Sequence, residues 1–227
     1  MLKGNNAGIR GVFSLAVTVL MASPALAAPI DIGGGWQAEV MNGNVASIVV
    51  DNTSSTETVI QIAKQFDDGP EFGQFPPIEI AFTQTGDDLS TVPSIVINDE
   101  NIINNTGFGW TDYHWALIDG GQAWFNVSQS STFDTSPFGT QSFADQYGYG
   151  DANKMTDLNV EGGFVPNGGT FTPGLLGGAL WIDTDLSGAN PVTFNFKQFP
   201  TNPSIPEPAS LMLMLGGCAI VAGRRRK

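Results

Sequence analysis

The sequence predicts an all-β fold, a single antiparallel β-sandwich or jelly-roll-like domain. Three observations predict it. Apolar residues alternate with a period of two in several short runs, and no apolar stripe with helical spacing competes with them. The runs are rich in β-branched and aromatic residues and are separated by turn sequences such as Met41-Asn42-Gly43-Asn44, Asp67-Asp68-Gly69-Pro70 and Pro166-Asn167-Gly168-Gly169. With 28 glycines and 14 prolines, long interior helices are poorly served. Roughly eight to ten short strands joined by hairpins follow from this spacing.

Taken in order, the first element is not part of that fold. Lys3 and Arg10 precede an apolar run at residues 12–21 (VFSLAVTVLM), and Ala25-Leu26-Ala27 follows it. A basic start, a short apolar stretch and small residues at a cleavage point make a secretory signal peptide, assigned to residues 1–27. Ten apolar residues are too few to span ~30 Å of hydrocarbon. Cleavage after Ala27 is preferred to cleavage after Ala28, which would put Pro29 beside the scissile bond.

The β domain is assigned to residues 28–199. Ile60 and Ile62, then Ile78, Ile80 and Phe82, then Ile95 and Ile97, and finally Val192, Phe194 and Phe196 mark inward positions of successive strands. On an extended strand, Tyr113, Trp115 and Leu117 share the better core face, while Trp110, Asp112, His114 and Ala116 share the other. Residues 128–153 lack a clear period and read as a long loop or irregular excursion. Residues 200–205 form a Pro-rich linker.

The last segment, residues 206–227, is distinctive. Pro206-Glu207-Pro208 precedes an apolar run at residues 209–223 and a terminal cluster, Arg224-Arg225-Arg226-Lys227. At ~1.5 Å per residue the run makes a helix of about 22 Å, slightly short of a full span. The positive-inside bias would keep the terminal cations on the cytoplasmic face. This layout resembles the PEP-CTERM sorting signal. The resemblance implies processing by a membrane-embedded exosortase near Pro206, Glu207 and Pro208, after transient inner-membrane insertion through the apolar helix. Signal peptidase is the partner at the other end. Residues 98–119 are also similar to a stretch recurring in extracellular domains of proteins with this signal: an acidic strand, the turn Asn104-Asn105-Thr106-Gly107, then Trp110, Asp112, Tyr113 and His114. That likeness implies a sandwich and no chemistry.

Charge narrows the function classes. The whole chain carries −13, yet between the two end segments only Lys64, Lys154 and Lys197 are cationic, against all but one of the chain's 22 acidic residues. Such a surface repels nucleic acid and anionic lipid and favours divalent cations. The only cysteine, Cys218, lies in the tail, so the domain has no disulfide and no thiol nucleophile.

Candidate chemistry is sparse. Asp112 and His114 could act as an acid–base pair for Ser128 or Ser142, but no G-x-S-x-G nucleophile elbow occurs, and no catalytic residue is assigned. Calcium is the one cofactor considered: Asp183 and Asp185, with Asp99 and Glu100, are the candidate ligands, without EF-hand spacing. Of the five tryptophans, Trp110 and Trp124 are the candidates for an exposed sugar-stacking platform. The expectation is a non-enzymatic protein exported to the cell surface or extracellular matrix, with a structural or adhesive role in biofilm or exopolysaccharide. A carbohydrate-binding module, calcium-assisted or not, is the alternative, and a hydrolase acting on matrix glycans is the third reading.

Overall fold

The computed structural model describes residues 28–71, 74–118, 121–188 and 191–202. The signal peptide, including Ala25 and Ala27, and the sorting segment with Pro206, Glu207 and Pro208 lie outside the described residues; Ala28 is the first residue inside.

Two sheets face each other, as the alternation requires. One sheet has the order β1 (Ile30–Gly33), β2 (Trp36–Asn42), β5 (Ile78–Gln84), β14 (Thr193–Thr201), β7 (Trp110–Ile118), β11 (Asp157–Val165) and β9 (Thr140–Ala144). The other has the order β10 (Lys154–Met155), β8 (Ala123–Asn126), β13 (Leu180–Thr184), β6 (Ser94–Asn104), β4 (Glu57–Phe66) and β3 (Asn44–Thr53), with β12 (Thr170–Phe171) also pairing β6. A single helical turn, α1 (Val127–Ser130), follows β8 and is capped by the Asn126 side chain.

The named pairs are antiparallel except β4 with β6, which is parallel. Parallel neighbours need a crossover, and here β5 supplies it by lying in the opposite sheet. The interior is filled by alternate residues of each strand: Ile60 and Ile62 from β4, Ile80 and Phe82 from β5, Tyr113, Trp115 and Leu117 from β7, and Phe194 and Phe196 from β14. Trp36, Phe82 and Phe194 pack ring to ring at one end of this layer.

Two irregularities move side chains away from where a regular strand would put them. In β6, Ile97 opposes Ile60 while Asp99 opposes Gln61, so Asn98 is an extra residue and the inward phase shifts from odd to even positions. Ile95 and Ile97 point inward before the bulge; Glu100, Ile102 and Asn104 do so after it. In β7 the ladder to β11 is irregular between Asp112 and Trp110, where Glu161 and Val165 are the partners. Gly162 has φ +77° there, and a Cβ on Gly163 would lie 2.5 Å from the Pro137 carbonyl oxygen, so glycine is required at both. Across this break the phase of β7 shifts and Trp110 turns inward with Tyr113, contrary to the simple alternation.

The 128–153 segment is more ordered than its composition suggests. It contains most of α1, β9 and the buried rings of Phe133 and Phe138, which pack against Trp115 and Phe171. The last strand runs to Thr201 with Pro200 buried, so pairing continues past position 199 into the segment read as linker.

Candidate functional site

Inside the sandwich, the inward rows of four strands stop being apolar. On β4 the row runs Ile60, Ile62, Lys64, Phe66; on β14 it runs Phe194, Phe196, Gln198. The bulge in β6 brings Glu100 inward to face them, and β7 adds Tyr113 and Trp115. None of these five polar-bearing side chains is more than 1 % exposed.

Their hydrogen bonds close on one another across the two sheets. The Lys64 ammonium donates to Glu100 Oε1 and to Gln198 Oε1. Gln198 Nε2 donates to Glu100 Oε1 at 3.0 Å, Tyr113 Oη to Gln198 Oε1 at 3.0 Å, and Trp115 Nε1 to Glu100 Oε2 at 2.8 Å. The Gln198 amide has one orientation that suits this surrounding, with its oxygen toward two donors and its nitrogen toward a carboxylate. Aromatic rings wall the group in: Trp115 and Phe171 lie 4.7 Å and 5.2 Å from Tyr113, and Phe133 lies 5.9 Å from Trp115.

Burial pushes the Lys64 ammonium below its usual range, opposed by the charge and hydrogen bond of Glu100. Burial, and then the Glu100 charge, holds the Tyr113 phenol well above its usual range. An amine, a carboxyl group, a carboxamide and a neutral phenol thus meet in the buried interior. That set can pass a proton between nitrogen and oxygen, and it can hold a developing negative charge on the amide oxygen.

The residues singled out from sequence fall elsewhere, with one exception. Glu100 belongs to the buried cluster, and both its oxygens are committed to Lys64, Gln198 and Trp115, so it is no calcium ligand. Asp99, on the opposite face, has a raised pKa, chiefly through burial and then through Glu100; its Oδ1 is buried with no hydrogen-bond partner among the described residues. Asp183 accepts from Ser94 and Asn126, and Asp185 from Ser187. Asp183 opposes Ser94, ~16 Å along β6 from Asp99. The four acidic residues therefore do not converge, and among the described residues no group of three or more His, Cys, Asp or Glu side chains could hold a metal ion.

Trp110 is fully buried against Phe66 and Tyr113 and offers no sugar-stacking face, a consequence of the phase shift in β7. Trp124 is half-buried on the outer face of its sheet. The Lys154 ammonium sits 3.9 Å from its ring centroid, Tyr149 packs edge-on at 6.0 Å, and Asp183 opposes it on β13. His114 is half-buried, stacks on Phe199 at 4.9 Å, and contacts Asn159 Oδ1 and Thr201 Oγ1 through its two ring nitrogens. Asp112 accepts from Thr201 rather than from His114. Ser142 lies two strands away, ~9.5 Å, and Ser128 lies in α1 beside the other sheet. Neither Ser128 nor Ser142 is brought to His114.

Comparison with known proteins bears on the end of the chain that follows β14. Residues 204–227 match the family model described as the PEP-CTERM protein-sorting motif. The chain carries a PEP-CTERM sorting signal. This signal implies an exported, cell-surface protein and processing by an exosortase. No curated protein and no solved structure matches the chain. The PEP-CTERM segment starts three residues after Thr201, so the strand that carries Gln198 into the buried cluster is the one that continues into the signal. Among the described residues no helix is long and apolar enough to cross a membrane; the apolar helix expected before the basic end lies outside them.

Proposed function

We propose that the protein is a non-enzymatic structural or adhesive component of the cell surface or of an extracellular matrix such as biofilm exopolysaccharide. The observation that carries this reading is the sorting signal attached directly to the last strand of a two-sheet domain. A fold with one large core of aliphatic and aromatic side chains and an acidic exterior suits a durable, soluble body displayed outside the cell. Signal peptidase removes the N-terminal segment, and the exosortase handles the C-terminal one after transient anchoring in the inner membrane.

The test is made in the producing cell. Replacing Pro206, Glu207 and Pro208 with alanine is expected to leave an unprocessed precursor in the membrane fraction and to weaken matrix cohesion as deletion of the gene does. Unchanged processing and an unchanged matrix would overturn the reading.

A second reading, glycan binding, is favoured by one observation. Trp124 with Tyr149, Asp183, Asn126 and Lys154 puts aromatic surface beside polar hydrogen-bonding groups on one outer face. A glycan array probed with the exported protein, with and without calcium, and with Trp124→Ala, tests it. Binding lost in Trp124→Ala supports a sugar platform; indifference to every glycan removes it.

A further inference from the structure

The buried cluster is more than an ion pair with satisfied neighbours. Its atoms stand in the order that an acyl transfer needs. The Lys64 nitrogen donates to Oε1 of the Gln198 amide, the atom bonded to the carbon it would attack. Glu100 Oε1 touches both the Lys64 nitrogen, which would attack, and Gln198 Nε2, which would leave. The Tyr113 hydroxyl donates to the amide oxygen on which negative charge would develop. Trp115 holds the second oxygen of Glu100 and so positions it.

We propose that Lys64 and Gln198 become joined by an intramolecular amide bond, formed by the folded protein itself with Glu100 as proton carrier. The ion pair first collapses by transfer of one proton from Lys64 Nζ to Glu100, leaving a free amine. Burial favours this, since it disfavours the ammonium. The Nζ lone pair then attacks Gln198 Cδ, and the electrons of the C=O bond move to Oε1 under the Tyr113 hydroxyl. Glu100 gives its proton to Nε2 and takes the surplus proton from Nζ. The Cδ–Nε2 bond breaks, the carbonyl re-forms and ammonia leaves. The products are a secondary amide, one ammonia and a protonated Glu100, a neutral carboxyl where no cation remains to balance it. No oxidant, metal or cofactor enters the balance. Holding the groups in contact in a water-excluded core supplies the proximity such a step needs.

The topology gives the bond a use. Lys64 is on β4 and Gln198 on β14, in opposite sheets and 134 positions apart in sequence. The bond would tie the strand leading to the sorting signal to the facing sheet, so that force applied through the C-terminal end cannot peel β14 away. This mechanical use rests on the surface role proposed above; the bond itself does not.

The protein recovered after export, denatured and digested with a protease that cuts at aromatic residues, tests the bond by tandem mass spectrometry. The expected result is one joined species containing residues 64 and 198, lighter than the two separate peptides by one ammonia. Recovery of the two peptides unjoined would overturn the proposal. A joined species lighter by one water, containing residues 64 and 100, would overturn it as well, because it would make Glu100 the acyl donor. Lys64→Arg and Glu100→Gln are expected to lose the joined species entirely; its persistence in either variant would also contradict the mechanism. Because the wild-type digest decides the question, the test does not depend on whether those variants fold. Sorting can fail in the alanine variant of Pro206, Glu207 and Pro208 while the bond still forms, so the two readings fail separately.

Discussion

The two ends of the sandwich interior share strand β14 but are otherwise built from different strands and by different means. At one end, Trp36, Phe82 and Phe194 fill the space between β2, β5 and β14 with rings, and removing any one leaves a void. At the other, Lys64, Glu100 and Gln198 fill it with groups that each need their partners. The apolar end gains stability in proportion to the area it removes from water. The polar end gains little from desolvating charge, and its balance depends on every lone pair and proton being matched. An apolar end tolerates a change of shape; a matched polar end fails as a unit.

The largest effect separating the two ends is expected from Lys64→Met. It strands the Glu100 carboxyl in the core and removes the tie to β14, and destabilisation of about 3–5 kcal/mol or more is expected in chemical denaturation. Adding Glu100→Leu to it should recover most of the charge penalty and still leave the protein less stable than wild type, since the link to Gln198 is absent. Full recovery would mean the cluster is electrostatic alone. At the apolar end, Phe194→Ala should cost about 3–5 kcal/mol through lost burial and a cavity. A loss there well above that seen for Lys64→Met would reverse the comparison.

A smaller effect tests a second buried polar knot. Asn104 donates to the carbonyls of Phe108, Val165 and Pro166 and accepts from Thr106, which shapes the Asn104-Asn105-Thr106-Gly107 turn. Asn104→Ala should cost about 1–3 kcal/mol by removing its donor from the Val165 and Pro166 carbonyls and its acceptor from Thr106. Thermal unfolding of the variant beside wild type measures it.

The smallest effects are in pH. Hydrogen bonds from Asn105, Asn44 and Gln65 hold the Asp67 carboxyl below its ordinary 3.8. Its contribution is therefore present above that value and lost as pH falls through the lower folded one. Asp157 is the opposite case: burial raises it, against hydrogen bonds from Thr156 and Gln146. The unfolded chain ionises there first, so its contribution is present below 3.8 and is lost as pH rises through the folded value. Asp67→Asn should flatten the acid limb of a stability–pH curve, and Asp157→Asn should remove a fall in stability on its less acid side.

Much of this architecture is legible in the sequence, and the reason is the strict period of two. Ile60, Ile62, Ile80, Phe82, Tyr113, Trp115, Phe194 and Phe196 all face inward as alternation requires. Lys64 and Gln198 occupy the next inward positions of two of those rows, so the signal was present, but a charged or amide side chain in that phase reads as a strand end. Glu100 and Trp110 were out of reach for a different reason. Each owes its direction to an irregular ladder, and a bulge is set by pairing with another strand rather than by local pattern. The β4–β6 parallel pair was equally hidden, because it depends on β5 leaving for the other sheet. The sorting signal needed no fold at all: its proline–glutamate–proline, apolar and basic order is contiguous.

The most direct test of the polar end is the electron density between Lys64 Nζ and Gln198 Cδ in a high-resolution crystal structure of the exported protein. A covalent tie predicts continuous, planar density at an amide bond length of ~1.33 Å, with no density for a separate Gln198 Nε2. Two separate side chains at hydrogen-bonding distance, with the amide nitrogen in place, would contradict it.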